Sequence, residues 1–248
     1  IRRPPRSTPL YSSAASDVYK RQVYNFACVC YGDKYPVEYV QKLYNMVTRN
    51  TTLHINFFVF TDHVKMAKMI DGNINVSEFP EHDLNGWWNK LQLFHPKVSL
   101  PGDTLYMDLD VVITDNIDCF FTYKPEADFV GMNDFNPTTK QWNSSVMKFK
   151  NDKLHGRLWH KFMDDRPNLL RRFAGDQNLI SDFIKETPGC DSYPDSWTQS
   201  YKWYDRKGNR YAKSDMTYEH DGESLVTVFH GQPNPHESDQ EWVKKAWF

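Results

Sequence analysis

The nine residues LYMDLDVVI, 105–113, place two carboxylates inside an apolar run that is typical of a buried β-strand. Burial of unpaired carboxylates is costly, so Asp108 and Asp110 need a cation, hydrogen bonds or a solvent-facing cleft. Side chains two residues apart on a strand lie on the same face, which predicts that both carboxylates converge on one ion. A hard divalent cation, Mn²⁺ or Mg²⁺, accepts such oxygens together with diphosphate oxygens. The competing interpretation is a pair of exposed acids at a strand end.

The segments around this stretch predict an α/β fold. Further strands are predicted where β-branched and aromatic residues cluster, over 23–31, 55–60, 73–79, 127–132, 144–149 and 224–230. Helices are predicted over 36–49, 61–69, 86–96, 151–163, 175–186 and 239–247, with Thr61-Asp62 capping the second. This alternation predicts a single Rossmann-like, mainly parallel sheet flanked by helices. Ligands in such sheets lie beyond the carboxyl ends of the strands, where the candidate site is therefore expected.

The composition argues against several classes of protein. The 248 residues carry 30 basic and 32 acidic side chains, so no broad basic face for nucleic acid is expected. No apolar run approaches the roughly 20 residues of a transmembrane helix. The four cysteines form neither a zinc-site spacing nor a dense disulfide framework. Reduced thiols in a cytoplasmic protein are the expectation.

Residues 1–22 differ from the rest of the chain. They are rich in Arg, Pro and Ser and show neither strand nor helix periodicity. They lack the apolar centre of a secretory signal, and they resemble a translated sequencing adapter joined to a gene. We expect a non-native or disordered leader over 1–22 and one folded domain over 23–248.

Four further motifs accompany the carboxylate pair in a fixed order. They are WWNKLQLF (87–94), NSSVMKF (143–149), GDQNLI (175–180) and VFHGQPNPHE (228–237). Together with 105–113, this set resembles the GT-A-fold glycosyltransferases, in particular the glycogenin and lipopolysaccharide galactosyltransferase group (glycosyltransferase family 8-like) and its phage and bacterial relatives. The resemblance covers roughly residues 23–238. An Asp-x-Asp followed far downstream by a His-Gly pair is much more specific than either motif alone.

The resemblance implies a nucleotide-sugar donor, usually linked to UDP, and Mn²⁺ (or Mg²⁺) bridging protein and diphosphate. It assigns the metal to Asp108, Asp110 and His230, and contacts with the reacting sugar to Lys90, Asp176 and Gln177. It assigns donor binding to Tyr31, Asp33, Tyr35, Thr61, Asp62, Lys90, Asp108, Leu109, Asp110, Asn143, Ser144, Gly231 and Asn234. Structural alternatives stay open: a solvated Lys90, a helix-capping Asp176 and a hydrogen-bonded His230 at a strand end.

Two positions depart from the pattern of the family. Ser145 stands where the family usually has glycine, and Asn234 stands where it has a lysine or arginine that contacts the diphosphate. Because stabilising the departing diphosphate is the main electrostatic task, loss of this cation would lower activity unless the metal, Lys90, Arg171 or Arg172 compensates.

The predicted activity is transfer of a sugar from a UDP-sugar to a hydroxyl acceptor, a glycan or lipopolysaccharide-like molecule, with retention of configuration. One alternative is a catalytically degenerate protein that binds nucleotide or sugar. Another is a nucleotidyltransferase, which the loop YGDKYP (31–36) matches poorly. The aromatic residues Tyr193, Trp197, Tyr201, Trp203 and Tyr204 predict either an acceptor platform or a loop that covers the core.

Overall fold

The computed structural model describes residues 23–136, 138–154, 156–202 and 220–248. The predicted leader, Trp203 and Tyr204 lie outside these residues. Within them, no helix combines the length and the apolar character that crossing a membrane requires.

The described residues form ten strands: β1 Val23–Cys30, β2 His54–Thr61, β3 Ile74–Glu78, β4 Asp103–Met107, β5 Val111–Ile113, β6 Phe129–Asn133, β7 Trp142–Lys150, β8 Cys190–Ser192, β9 Thr198–Ser200 and β10 Val226–Val228. Seven of them build the central sheet in the order β3-β2-β1-β4-β7-β6-β8. Strand β7 runs antiparallel to β4 and β6, and the other neighbouring strands of this sheet are parallel. The prediction of a mainly parallel sheet is confirmed.

The stretch 105–113 does not form one strand, and that prediction was wrong. Strand β4 ends at Met107, the chain turns over 108–110, and β5 joins a separate sheet of order β5-β10-β9. The Asp108 N–H donates to the Ser145 carbonyl at 2.9 Å, whereas the Asp110 carbonyl accepts from the Phe229 N–H at 3.0 Å. The backbone thus changes hydrogen-bonding partner between the two acids. Their side chains are placed by this turn and not by the alternation of a strand.

In the part of the chain that the structure describes, seven α-helices surround the sheets: α1 Val37–Arg49, α2 Asp118–Thr122, α3 Asn151–Leu154, α4 Arg157–Asp164, α5 Arg166–Arg172, α6 Asp176–Lys185 and α7 Glu241–Ala246. Short 3-10 helices cover Val64–Lys68, Gly86–Phe94, Asp195–Trp197 and Pro235–Glu237. Helices α2 and α5 were not predicted. The predicted helix over 151–163 is two helices, because Gly156 has a φ of +77° and interrupts the regular helical backbone.

The predicted cap at Thr61-Asp62 was also wrong. The helix that follows is the 3-10 segment Val64–Lys68, which has no side-chain cap. The Thr61 hydroxyl accepts the His63 N–H at 2.9 Å, while the Asp62 carboxylate accepts the Gly32 N–H at 3.0 and 3.1 Å. Asp62 therefore ties the loop after β1 to the end of β2.

Hydrophobic side chains cover both faces of the central sheet. On β1, Phe26 and Cys28 belong to the core under α1, whereas Ala27 and Val29 belong to the core beneath α4 and α6. This alternation along a fully buried strand is what a two-sided α/β sheet requires. Tyr193 and Tyr201 are 2% and 4% exposed, so both rings pack in the core and are not open acceptor platforms.

Lys148, on β7, is fully buried and completes the end of helix α2. Its ammonium donates to the carbonyls of Phe121, Tyr123 and Lys124 at 3.4, 2.5 and 3.2 Å. We expect Lys148→Met to lower the free energy of unfolding by about 1–3 kcal/mol, because buried carbonyls lose their donor. Urea unfolding measures this change, with Lys150→Met on the same strand as control. Equal unfolding midpoints for both variants would contradict a stabilising role for the Lys148 ammonium.

Candidate active site

The candidate site is a cleft beyond the carboxyl ends of β1 and β4, which are parallel neighbours in the sheet. It offers about 820 Å³ of space, part of which is open to solvent. Its lining comprises Val29, Tyr31, Lys34, Tyr35, Trp87, Lys90, Tyr106, Asp108, Leu109, Asp110, Ser144, Ser145, Asp176, Gln177, His230 and Gly231. The cleft therefore unites the predicted carboxylate pair with residues from distant motifs.

Lys90 holds two carboxylates together at the floor of the cleft. Its ammonium lies 2.9 Å from Asp108 Oδ1 and 3.1 Å from Asp176 Oδ2, with a side chain only 8% exposed. It also lies 3.0 Å from the Ser144 hydroxyl, which in turn donates to Asp176 at 3.0 Å. Burial opposes the charged ammonium, but the two carboxylates outweigh it and raise the pKa of Lys90. Lys90 is therefore a buried ion-pairing residue and not a solvated surface lysine.

Asp108 is fixed as an ionised carboxylate. Tyr106 donates its hydroxyl to Asp108 Oδ1 at 2.6 Å, which adds to the contact with Lys90. Burial alone would raise the pKa of Asp108, but Lys90 and these hydrogen bonds lower it below its usual value. The negative charge of Asp108 is thus largely balanced inside the protein.

Asp110 lies in the opposite electrostatic situation. Its Oδ2 accepts the Tyr35 hydroxyl at 3.0 Å and the Gly231 N–H at 2.8 Å, and the residue is 7% exposed. Burial and the neighbouring charge of Asp108 raise the pKa of Asp110 above its usual value. When a second carboxylate disfavours the ionised form of a buried acid, a bound cation stabilises that ionised form.

His230 lies two residues beyond the end of β10, where the sequence predicted the strand end itself. Its φ is +56°, an uncommon conformation for a residue other than glycine, and Gly231 follows with +78°. The His230 Nε2 lies 3.0 Å from the Ser200 hydroxyl. Burial and the nearby Lys202 lower the pKa of His230 to about 4, which keeps the imidazole neutral at pH 7.

The three predicted metal ligands line one cleft, but the described residues do not gather them into a ready cluster. Among these residues, no group of three His, Cys, Asp or Glu side chains is close enough to hold an ion. The donor chemistry nevertheless fits a hard divalent cation, since two carboxylates and a neutral imidazole are present and Asp110 carries unfavourable negative charge. The assignment of Asp108, Asp110 and His230 to a metal stays a prediction.

Only some of the residues predicted to flank the nucleoside line the cleft. Tyr31 and Tyr35 line the cleft. Thr61 is buried and Asp62 binds the Gly32 N–H, so both organise the loop next to the cleft. Asp33 is exposed in that same loop.

Strand β7, the antiparallel neighbour of β4 in the sheet, contributes residues to the site. Asn143 accepts the Ser145 N–H at 2.8 Å, and Ser144 bridges Lys90 and Asp176. Ser145, which replaces the expected glycine, forms part of the cleft lining and is 7% exposed. The departure at Ser145 is therefore accommodated within the site.

The predicted compensation for Asn234 by arginine is not supported. Arg172 pairs with Asp182 at 3.6 Å, and Arg171 bonds Asn168 within α5, so neither lines the cleft. Asn234 itself bonds the Glu237 carboxylate through its backbone and side-chain N–H groups at 2.6 and 3.1 Å. The loop after His230 therefore brings no cation into the described lining at position 234.

Solved structures resemble this chain over most of its length. The galactosyltransferase LgtC, crystallised with donor and acceptor sugar analogues, covers 90% of this chain and 96% of its own, with a TM-score of 0.62 and 13% identity. The glycosyltransferase GlyE of Streptococcus pneumoniae TIGR4 matches 89% of this chain with a TM-score of 0.63 and 12% identity. Mouse xyloside xylosyltransferase 1 matches 85% with a TM-score of 0.53 and 12% identity.

The chain has the GT-A fold. This confirms, at the level of fold, the resemblance to the galactosyltransferase group. This chain spans 93% and 96% of the LgtC chains but 62% of GlyE. No protein-family model and no curated protein sequence matches it.

A second cavity adjoins the cleft in this GT-A fold and shares Gln177 and His230 with it. Gln177 donates to Asp134 Oδ2 at 2.7 Å. The remaining lining is polar apart from one ring: Phe135, Asn136, Thr139, Gln141, Asn143 and Asn178.

Sequence reasoning missed Asp134, Tyr106 and Lys34 as site residues. For Tyr106 a signal existed, because it is a polar aromatic residue only two positions before the Asp-x-Asp motif.

Proposed function

We propose that this chain transfers a sugar from a UDP-sugar to a hydroxyl acceptor, with a divalent cation bound by Asp108, Asp110 and His230. The observation that carries the proposal is the buried arrangement of Lys90 between Asp108 and Asp176 at the ligand edge of a GT-A fold. A purely structural ion pair has no need of a cleft, whereas these groups line one. The glycosyltransferase activity of the structural neighbours supports the same reaction class.

The residues of the chain divide the task between the two ends of the donor. Asp176 and Gln177, at the start of α6, would bind sugar hydroxyls, and Lys90 positions Asp176 for this. Tyr31 and Tyr35 would contact the nucleoside. The positive charge that develops on the sugar as its bond to the diphosphate breaks would be stabilised by Asp176. We expect the reaction to proceed with retention of configuration, as in the group that the sequence resembles.

The bound cation, Mn²⁺ or Mg²⁺, would supply Lewis-acid stabilisation of the departing diphosphate. The protein contributes the two carboxylates and a neutral imidazole, with Tyr35 and the Gly231 N–H orienting Asp110. These hydrogen bonds are already formed, so the Asp110 carboxylate is held in place before a ligand arrives.

The acceptor would enter through the second cavity. Its amide and hydroxyl side chains suit the hydroxyl groups of a neutral glycan, and Phe135 offers an aromatic face. Gln177 lines both cavities, which supports an acceptor position next to the proposed sugar end of the donor site. A glycan or lipopolysaccharide-like acceptor fits this chemistry.

Release of UDP from a panel of UDP-sugars, with Mn²⁺ or with chelator, tests the proposal. We expect slow donor hydrolysis that requires Mn²⁺ even without an acceptor. If no donor is cleaved, calorimetric titration of UDP separates the alternatives. Binding of UDP that depends on Mn²⁺ but gives no turnover with any donor or glycan acceptor would favour a degenerate binding protein. Absence of any UDP binding would overturn the UDP-sugar assignment.

A further inference from the structure

The cleft carries more carboxylates than available cations. Among its described lining residues, the acids are Asp108, Asp110 and Asp176, and the cations are Lys34 and Lys90. Lys90 is held between two of the acids at 2.9 and 3.1 Å, so its charge is already used within the protein. Besides the proposed metal ion, an anionic ligand would therefore be favoured by a further cation of the protein at this site.

Lys34 is the lining cation that the described residues leave without an ionic partner. It is exposed in the loop that follows β1, at the edge of the sheet where ligands bind. No described carboxylate lies within the 4.0 Å of an ion pair, and its ammonium lies 4.7 Å from the centre of the Tyr35 ring. The Tyr35 hydroxyl in turn binds Asp110. The charge of Lys34 thus acts on Asp110 and partly lowers its raised pKa, but the two side chains form no ion pair.

Other cations near the cleft are engaged elsewhere. Lys202 is 6% exposed and donates to the Gln232 carbonyl, so it fastens the loop after His230. Position 234 offers an asparagine bound to Glu237. These contacts leave the first loop as the part of the described cleft that presents a free ammonium.

We infer that Lys34 binds the diphosphate of the donor and so supplies the cation that position 234 lacks. The inference rests on the proposed function, since it names the contact of the same site with the donor. An ammonium on a flexible stem binds phosphoryl oxygens as a point charge, and the exposed Lys34 can do so without breaking an ion pair. Its ammonium lies 4.7 Å from the centre of the Tyr35 ring, and both residues line the cleft.

The test compares Lys34→Gln with Lys65→Gln, which removes an equal charge from an exposed position outside the cleft. Affinities for UDP and for uridine are measured in Mn²⁺, the second by competition. We expect Lys34→Gln to weaken UDP binding by about tenfold or more, because a charge-assisted hydrogen bond is lost. Uridine, which has no phosphate, should bind both variants and the wild type equally, and Lys34→Arg should retain most of the UDP affinity.

Two outcomes overturn the inference while leaving the proposed function intact. Equal UDP affinity in Lys34→Gln and the wild type would show that Lys34 does not contact the diphosphate. Equal losses for UDP and uridine would show that Lys34 acts on the nucleoside end or on the loop. A wild type that binds no UDP is a different result, since it overturns the proposed function and this inference with it.

Discussion

Asp110→Asn is expected to abolish UDP release while leaving the folded protein at least as stable as the wild type. The asparagine oxygen can still accept from Tyr35 and Gly231, so the turn is preserved. The charge that would bind the cation is lost, and we expect donor cleavage to fall by on the order of 10²–10³-fold or more. Initial rates of UDP release in Mn²⁺ measure this loss, with Asp164→Asn at an exposed position of α4 as the matched control.

The stability arm follows from the sign of the pKa shift. Burial and Asp108 raise the pKa of Asp110 in the folded state, so its contribution to stability is lost as the pH rises through that pKa. At pH 7 the ionised side chain opposes folding, and removal of its charge should leave the free energy of unfolding unchanged or higher. Mn²⁺ should raise the melting temperature of the wild type and not of the variant. A variant with full activity would contradict a role of Asp110 in metal binding. A variant that unfolds would contradict the expected effect of the charge on stability.

Elements with clear local patterns could be predicted from the sequence. Strands β1, β2 and β3 follow from runs of β-branched and aromatic residues, and α1 follows from its apolar periodicity. The carboxylate pair and the downstream His-Gly could be found as motifs. These predictions depend on residues that are neighbours in the sequence.

Features that depend on long-range partners could not be predicted. The break of 105–113 after Met107 follows from two backbone hydrogen bonds with distant partners. Asp108 binds Ser145 of β7, which lies 37 residues further along the chain, and Asp110 binds Phe229, just after β10 and 119 residues further along. The periodicity of an apolar run does not indicate where the chain leaves one sheet and joins another. Tyr193 and Tyr201 have the composition of a ligand platform, yet the core covers them, because composition does not distinguish a buried ring from an exposed one.

The carboxylates of the site differ in whether the protein itself balances their negative charge. Lys90 stabilises the charges of Asp108 and Asp176, whereas Asp110 is placed near Asp108 with no cation of its own among its hydrogen-bonding partners. A structural network would balance every charge, since an unbalanced buried carboxylate costs stability. The imbalance at Asp110 is what a site for a cationic ligand requires, and it explains why Asp110 and Lys90 should respond to substitution in opposite ways.

Lys90→Met is expected to destabilise the protein strongly, unlike Asp110→Asn. Methionine fills a similar volume but leaves the buried Asp176 and the partly exposed Asp108 without their cation, and breaking a buried ion pair costs about 3–5 kcal/mol. Urea unfolding at pH 7 in chelator measures the loss, with Lys97→Met in an exposed position just beyond the same 3-10 helix as control. Adding Asp176→Asn to Lys90→Met should restore part of the stability, because one uncompensated charge is removed.

The loss in Lys90→Met should also depend on pH in a defined direction. In the wild type the pKa of Asp108 is lowered, so its contribution to stability is present above the usual value of 3.8 and disappears as the pH falls through the lower folded value. Without Lys90, burial would raise the pKa of Asp108, and the variant would lose stability as the pH rises through that raised pKa. The gap between wild type and variant should therefore widen from pH 4 to pH 7. A gap that is constant over this range would mean that Lys90 stabilises the fold through packing and not through its charge.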